Sequence, residues 1–224
     1  MQQIPPAYKG RVKYTKDVAR KYQHIKPGKN RAEMQLVERA FSIIPKGRVL
    51  DAPCGGGRIS LLLAGLGYAM TSVDISEPML DIARENFSKA GLTIPVLHGD
   101  VEKLNFADES FDAVISFRLF HHFPTVEIRQ RAVNELCRVA RTHVALSYFS
   151  PYSFTSLKRR VQAATGGRKS TKHATSLREV IGYFETSGFT LCRDFARFPL
   201  IHTLHLAVFC RRPSDSPHCT SARL

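Results

Sequence analysis

The sequence predicts an α/β fold, a doubly wound and mostly parallel sheet with helices on both faces. Three observations carry that prediction. Residues 47–58, Gly-Arg-Val-Leu-Asp-Ala-Pro-Cys-Gly-Gly-Gly-Arg, read as a strand, a glycine turn and the start of a helix. That arrangement sets backbone N–H groups and a helix N-terminus against a polar ligand. Apolar strand-like runs and helical runs alternate as far as residue 149, the pattern of an α/β domain. Asp51, Asp74 and Asp100 follow three successive strand-like runs at intervals of about 25 residues. All three therefore lie on the carboxyl edge of one sheet, where such folds bind ligands.

Taken in order, residues 1–29 form a basic arm in which Tyr8, Tyr14 and Tyr22 are interleaved with lysines and arginines. It reads either as a grip for an anionic ligand or as a solvated segment. Asn30 is placed as the cap of a helix running to Ile44, with Met34, Leu36, Val37, Ala40, Phe41 and Ile44 on its apolar face. A strand over 48–52 and a helix over 57–66 flank the glycine turn, and Gly65-Leu-Gly67 stops the helix. A second strand, 69–73, delivers Asp74. Ser76 is the expected N-cap of a helix over 77–90, with Pro78 in its first turn. A third strand, 94–98, leads to Asp100. Residues 111–117 are apolar nearly throughout, as a strand buried on both faces is. A helix over 124–140, a strand over 143–149, a helix opened by Ser176 with Glu179 in a capping-box pattern, and strands over 189–198 and 204–212 complete the series.

At 224 residues and 43% hydrophobic, the chain can bury one good core. It holds no run of 18 apolar residues, which predicts no membrane span, and the N-terminus lacks the apolar centre of a signal peptide. Cys54, Cys137, Cys192, Cys210 and Cys219 show no paired short spacing, so neither a zinc site nor a disulfide framework is predicted, and a reducing, cytoplasmic location fits. No metal is called for. The formal charge of +14 suits anionic partners, nucleic acid among them, and equally an arginine-rich soluble protein.

The glycine turn admits two ligands. Gly55-x-Gly57-x-x-Ser60 approximates the spacing of a dinucleotide site, with Asp74 as the ribose acid. Asp51, however, sits at the strand end ahead of the glycines, where it would repel a pyrophosphate and hold the ammonium of a zwitterionic amino acid. The run Val49–Gly57 resembles motif I of the class I S-adenosylmethionine (SAM)-dependent methyltransferases, Asp-x-Gly-x-Gly-x-Gly, in the small "methyltransferase domain 11/25" form. Pro53 stands where that family usually has its first glycine and predicts a stiffer turn.

That resemblance, which covers residues 30–212, implies a Rossmann-like, seven-stranded sheet closing on a C-terminal antiparallel hairpin. It implies SAM as cofactor, with S-adenosylhomocysteine (SAH) as product, held by Asp51, Pro53, Gly55 and Gly57 at the turn. Asp74 would accept from both ribose hydroxyls. Ile75 and Met79 would flank the adenine, although Met79 taken alone reads as a helix-core residue. Asp100 with Val101 would meet the adenine amino group. Ser116 and Phe117 end strand four, the strand that faces the methyl group. His121 and His122 match a Leu-His-His-aromatic stretch found across the family, and are either a base or architecture.

The acceptor is expected to be a small molecule, anionic or lipid-like, methylated on O or N. Arg118, Tyr152, Lys158, Arg159 and Arg160 are the candidates to hold it. The last three lie in a basic insertion, 150–175, which reads either as an anion seat or as a solvated face. Tyr148, Tyr152 and Phe154 could wall the acceptor or simply pack. Residues 1–29 then become a lid, 30–212 the catalytic domain and 213–224 a disordered tail. RNA methylation and a non-catalytic SAM-binding role stand as alternatives.

Overall fold

The computed structural model describes residues 27–153, 173–196 and 203–213. Most of the expected arm, Lys158, Arg159 and Arg160 with most of the insertion, Phe154, and nearly all of the tail lie outside these residues. Helix α1 spans Pro27–Phe41, so it takes in the last three residues assigned to the arm. Strand β1 is Arg48–Asp51, α2 is Arg58–Gly65, β2 is Ala69–Asp74 and α3 is Glu77–Lys89. They are followed by β3, Val96–His98, and β4, Phe111–Ser116. A short 3₁₀ turn, Phe120–His122, precedes α4, Val126–Val139. The chain continues through β5, Ala140–Phe149, α5, Leu177–Glu185, β6, Phe189–Ala196, and β7, Leu204–Arg211.

The seven strands form one sheet in the order β3-β2-β1-β4-β5-β7-β6. Strands β1 to β5 pair in parallel, and β7 runs antiparallel to both β5 and β6. The strand order reverses between β1 and β4, which makes their carboxyl ends the topological switch point. Two buried clusters hold the sheet from either side. Leu36, Val37, Phe41, Ile59 and Leu63 of α1 and α2 cover one face. Ile128, Val133, Leu136, Val180 and Phe184 of α4 and α5 cover the other. Alternate residues of each strand feed the two clusters: Val49 and Ile115 the first, Leu50 and Val114 the second, as strand geometry requires.

Local chemistry sets the helix starts, with three departures from expectation. Asn30 lies inside α1 instead of capping it, and its side-chain oxygen accepts from Arg58 at 2.8 Å. Ser76 occupies the N-cap position of α3, but its side chain makes no capping bond to the helix. Ser176 does cap α5, its hydroxyl accepting from Glu179 N at 3.2 Å. Glu179 does not reach back to complete a capping box. Its carboxylate accepts instead from Arg129 and Tyr183, each at 2.8 Å, because Arg129 is buried and needs a counter-charge. The cysteine expectation is corrected as well. Antiparallel pairing of β6 with β7 brings Cys192 and Cys210 to a Cα separation of 5.9 Å, where they form a disulfide, a proximity that spacing along the chain did not reveal. Among the described residues no cluster of metal-ligating side chains occurs, and no helix is long and apolar enough to cross a membrane.

Candidate cofactor site

The turn after β1 is strapped to both neighbouring strands. Ala52 N donates to Ile115 O of β4 at 3.0 Å, and Cys54 N donates to Val73 O of β2 at 2.8 Å. Gly55 N donates to Asp74 Oδ2 at 2.8 Å. The Ala52–Pro53 peptide is cis, and Gly55 and Gly57 adopt positive φ of 54° and 79°. A Cβ on Gly57 would run into the Phe87 ring and Ala83 of α3. Glycine is therefore required at 57 twice over, by backbone conformation and by the close approach of α3. Gly57→Ala is expected to lower stability by about 1–3 kcal/mol, read as a shift of the urea midpoint at constant slope.

Asp51 is fully buried at the end of β1. Ser60 Oγ donates to its Oδ2 at 2.7 Å and lies 2.8 Å from Ser72 Oγ. The other oxygen, Asp51 Oδ1, is buried with no hydrogen-bond partner among the described residues. Burial pushes the Asp51 carboxyl up to about 7, an effect only partly offset by the Ser60 hydroxyl. A buried carboxylate oxygen without a donor is costly, and a cationic donor reaching it would remove that cost. This is the feature that fits an amino-acid ammonium at the turn. Cys54, beside it, is no nucleophile, because burial and the nearby Asp51 and Asp74 push its thiol pKa up.

The other predicted residues fall at the same edge. Asp74 is buried, accepts from Gly55 N and from Ser76 N at 2.9 Å, and is raised by burial against those bonds. A carboxylate has about four acceptor sites, so it can bind these amides and ribose hydroxyls together. Ile75 is half-buried beside it. Met79 is only 2% exposed, with its Cε against Gly55. It packs against the glycine turn. Asp100 is half-buried and accepts from Glu102 N at 3.0 Å, and Val101 is buried in the core.

At the tip of β4, Ser116 and Phe117 are buried, with the Arg58 guanidinium 5.7 Å over the Phe117 ring. Arg118 has φ +63°, and its N–H donates to Ser147 Oγ. Its guanidinium turns inward to Glu33 of α1, which also pairs with Arg58 at 2.5 Å. So Arg118 ties α1 to the site instead of lying open for an acceptor. His121 is buried, stacks on Phe149 at 3.9 Å and lies 4.1 Å from His122, and its carbonyl accepts from His173 N. Tyr152 is 75% exposed.

The sequence did not reveal Glu33 as the partner of Arg118 and Arg58, nor Ser60 and Ser72 as the hydroxyls around Asp51. Glu33 was detectable, since it stands three and four residues before Leu36 and Val37 on the apolar face of α1. An acid on such a stripe marks a buried partner.

Comparison with known proteins agrees with this geometry. Residues 49–143 match the family described as "Methyltransferase domain". An uncharacterized methyltransferase of Bacillus subtilis (strain 168), YodH, is 40% identical over 72 residues, 32% of this chain and 31% of that protein. The ubiquinone biosynthesis O-methyltransferase of Coxiella burnetii is 33% identical over 95 residues, 42% of this chain and 40% of that protein. The chain thus spans about a third of the length of the curated relatives it matches. Among solved structures, the magnesium protoporphyrin IX methyltransferase of Synechocystis PCC 6803 with bound SAH superposes at a TM-score of 0.70. It is 21% identical and covers 84% of this chain and 88% of its own. With the glycine turn, the carboxyl-edge acids and the seven-stranded order, these findings give the chain a Rossmann-like fold shared with the methyltransferase structures, and a match to the methyltransferase-domain family over residues 49–143.

Proposed function

We propose that the protein transfers the methyl group of SAM to an oxygen or nitrogen nucleophile of a small, anionic or lipid-like acceptor. The observation that carries the SAM reading is Asp51 Oδ1, a buried carboxylate oxygen at the glycine turn that meets no donor among the described residues. Asp51 holds the ammonium, Gly55 and Gly57 let the ligand approach the backbone, and Asp74 binds the ribose. Ile75, Asp100 and Val101 border the adenine, and Ser116 and Phe117 close the methyl end. When bound, SAM supplies an electrophilic methyl on a sulfonium. Positive charge disperses during the transfer, so the protein's main contribution is to align the acceptor and exclude water.

The acceptor is assigned to the basic insertion. Arg118 is engaged by Glu33, so Lys158, Arg159 and Arg160 carry the anion-binding part of this proposal. The net charge of +14 supports a second reading, RNA methylation, in which acceptor affinity falls steeply with salt. The first is tested with methyl-labelled SAM and the small-molecule and RNA fractions of a cell extract. Label in the small-molecule fraction supports it, label in RNA alone selects the second reading, and no label in either overturns both. Asp74→Ala is expected to weaken SAM by about 1.5–3 kcal/mol, the scale of hydrogen bonds to a charged group. Calorimetric titration checks it, and unchanged affinity contradicts the ribose assignment.

A further inference from the structure

A buried polar cluster lies two strands away from the β4 tip. His205 of β7 is 7% exposed, and its Nδ1 is 2.7 Å from Asp194 Oδ2 of β6. Tyr148 of β5 donates its hydroxyl to the same Asp194 oxygen at 3.1 Å, and its ring lies 5.2 Å from the imidazole. Among the described residues, Asp194 and Tyr148 are the titratable groups that face His205 from the two strands beside it. A carboxylate only accepts, so the His205 nitrogen beside it carries the hydrogen. In the neutral ring, Nε2 is then a bare lone pair, and Nε2 is buried without a hydrogen-bond partner among the described residues. Burial and the neighbouring Asp194 raise the Tyr148 hydroxyl, which keeps Tyr148 a donor.

The strand register puts His205 at the carboxyl edge of the sheet. Ser116, the last residue of β4, pairs with Leu146, which pairs with Ala207. His205 pairs with Tyr148, two residues further toward the carboxyl edge. It therefore stands level with the turn at Arg118, about 10 Å across the sheet from β4 at two strand spacings. An orphaned acceptor with a carboxylate behind it is the arrangement of an oriented general base.

We propose that His205 Nε2 is the general base for the acceptor, with Asp194 as its positioning residue, and that the acceptor bears a hydroxyl of phenol-like acidity. This rests on the methyltransferase reading above. The acceptor O–H gives its proton to His205 Nε2 while its oxygen bonds the methyl carbon. The carbon–sulfur bond breaks with its electron pair left on sulfur, and Asp194 balances the imidazolium until the proton leaves to solvent. A phenol ordinarily titrates near 10, acidic enough to give up its proton as the new bond to carbon forms. A carboxylate acceptor would need no base at all.

The test uses the full chain, methyl-labelled SAM and a series of substituted phenols of graded acidity. SAM binding by calorimetry is measured first, because its absence defeats the methyltransferase reading itself. Given binding, His205→Gln is expected to slow transfer by about 10²–10⁴-fold to weakly acidic phenols while leaving SAM affinity unchanged. The loss is expected to shrink toward nothing for phenols already ionised at the assay pH. Asp194→Asn is expected to show the same acidity dependence with a smaller loss. A second readout needs no acceptor: ¹⁵N-histidine NMR of the SAH complex is expected to show His205 protonated at Nδ1 and bare at Nε2, shifting in Asp194→Asn. A loss independent of phenol acidity, no transfer to any phenol by a SAM-binding wild type, or an Nε2-protonated neutral ring would each overturn the proposal.

Discussion

Between about pH 4 and pH 7 the ligand-free protein is expected to lose about 4 kcal/mol of stability relative to its Asp51→Asn variant. The unfolded chain releases the Asp51 proton near 3.8, while the folded, buried carboxyl holds it to about 7. A proton held more tightly in the folded state stabilises that state fully below pH 3.8, and this contribution disappears as the pH rises to 7. The variant has no such group, so the difference between the two proteins isolates the effect from every other titration. Urea unfolding across that range measures it, and parallel curves would contradict the burial argument. The same carboxylate makes a cofactor prediction. A cationic ammonium favours ionised Asp51, so SAM affinity is expected to rise with pH up to about 7 and then level off. Asp51→Asn is expected to bind weakly with no such slope.

Removing Glu33 is the second large effect. Its carboxylate is buried between Arg58 of α2 and Arg118 of the β4 tip, and Asn30 adds a bond to Arg58 at 2.8 Å. Glu33→Ala leaves two largely buried guanidinium groups without their counter-charge, a change that costs about 3–5 kcal/mol in comparable buried pairs. Stability is expected to fall by about that much, and the Glu33→Ala/Arg118→Ala double variant is expected to recover part of the loss, since it removes one stranded charge. The consequence extends to the site. Arg118 holds a left-handed backbone conformation, which a non-glycine residue keeps only when its surroundings enforce it. Loosening its anchor frees the β4 tip where Ser116 and Phe117 stand. Equal stability of the single and double variants would show that the two arginines do not share Glu33 energetically.

Most of the fold was legible because it rests on short-range patterns. Val49-Leu50 and Phe111–Phe117 are apolar runs that only buried strands carry, and Asp51, Asp74 and Asp100 mark where three strands end. Boundaries were less readable: β5 begins at Ala140 and not at 143, since exposed Arg141 and Thr142 hide its start. The glycine turn was legible because its chemistry is written in backbone conformation. What side chains do across strands was not. Asp194 meets His205 through an antiparallel register that contains an irregularity between Leu191 and Arg193, and no local pattern predicts that offset. Arg118 read as an open cation because Glu33 lies 85 residues away. His121 left two roles open because its stacking on Phe149 is a tertiary contact.

The central claim is that Asp51, the glycine turn and Asp74 form a SAM site, and calorimetric titration of the full chain with SAM, SAH and NADH tests it most directly. Micromolar binding of both adenosyl ligands, with no heat from NADH and with Asp74→Ala weakening both, is the expected result. Binding of NADH alone would contradict it, because Asp51 would then be facing a pyrophosphate.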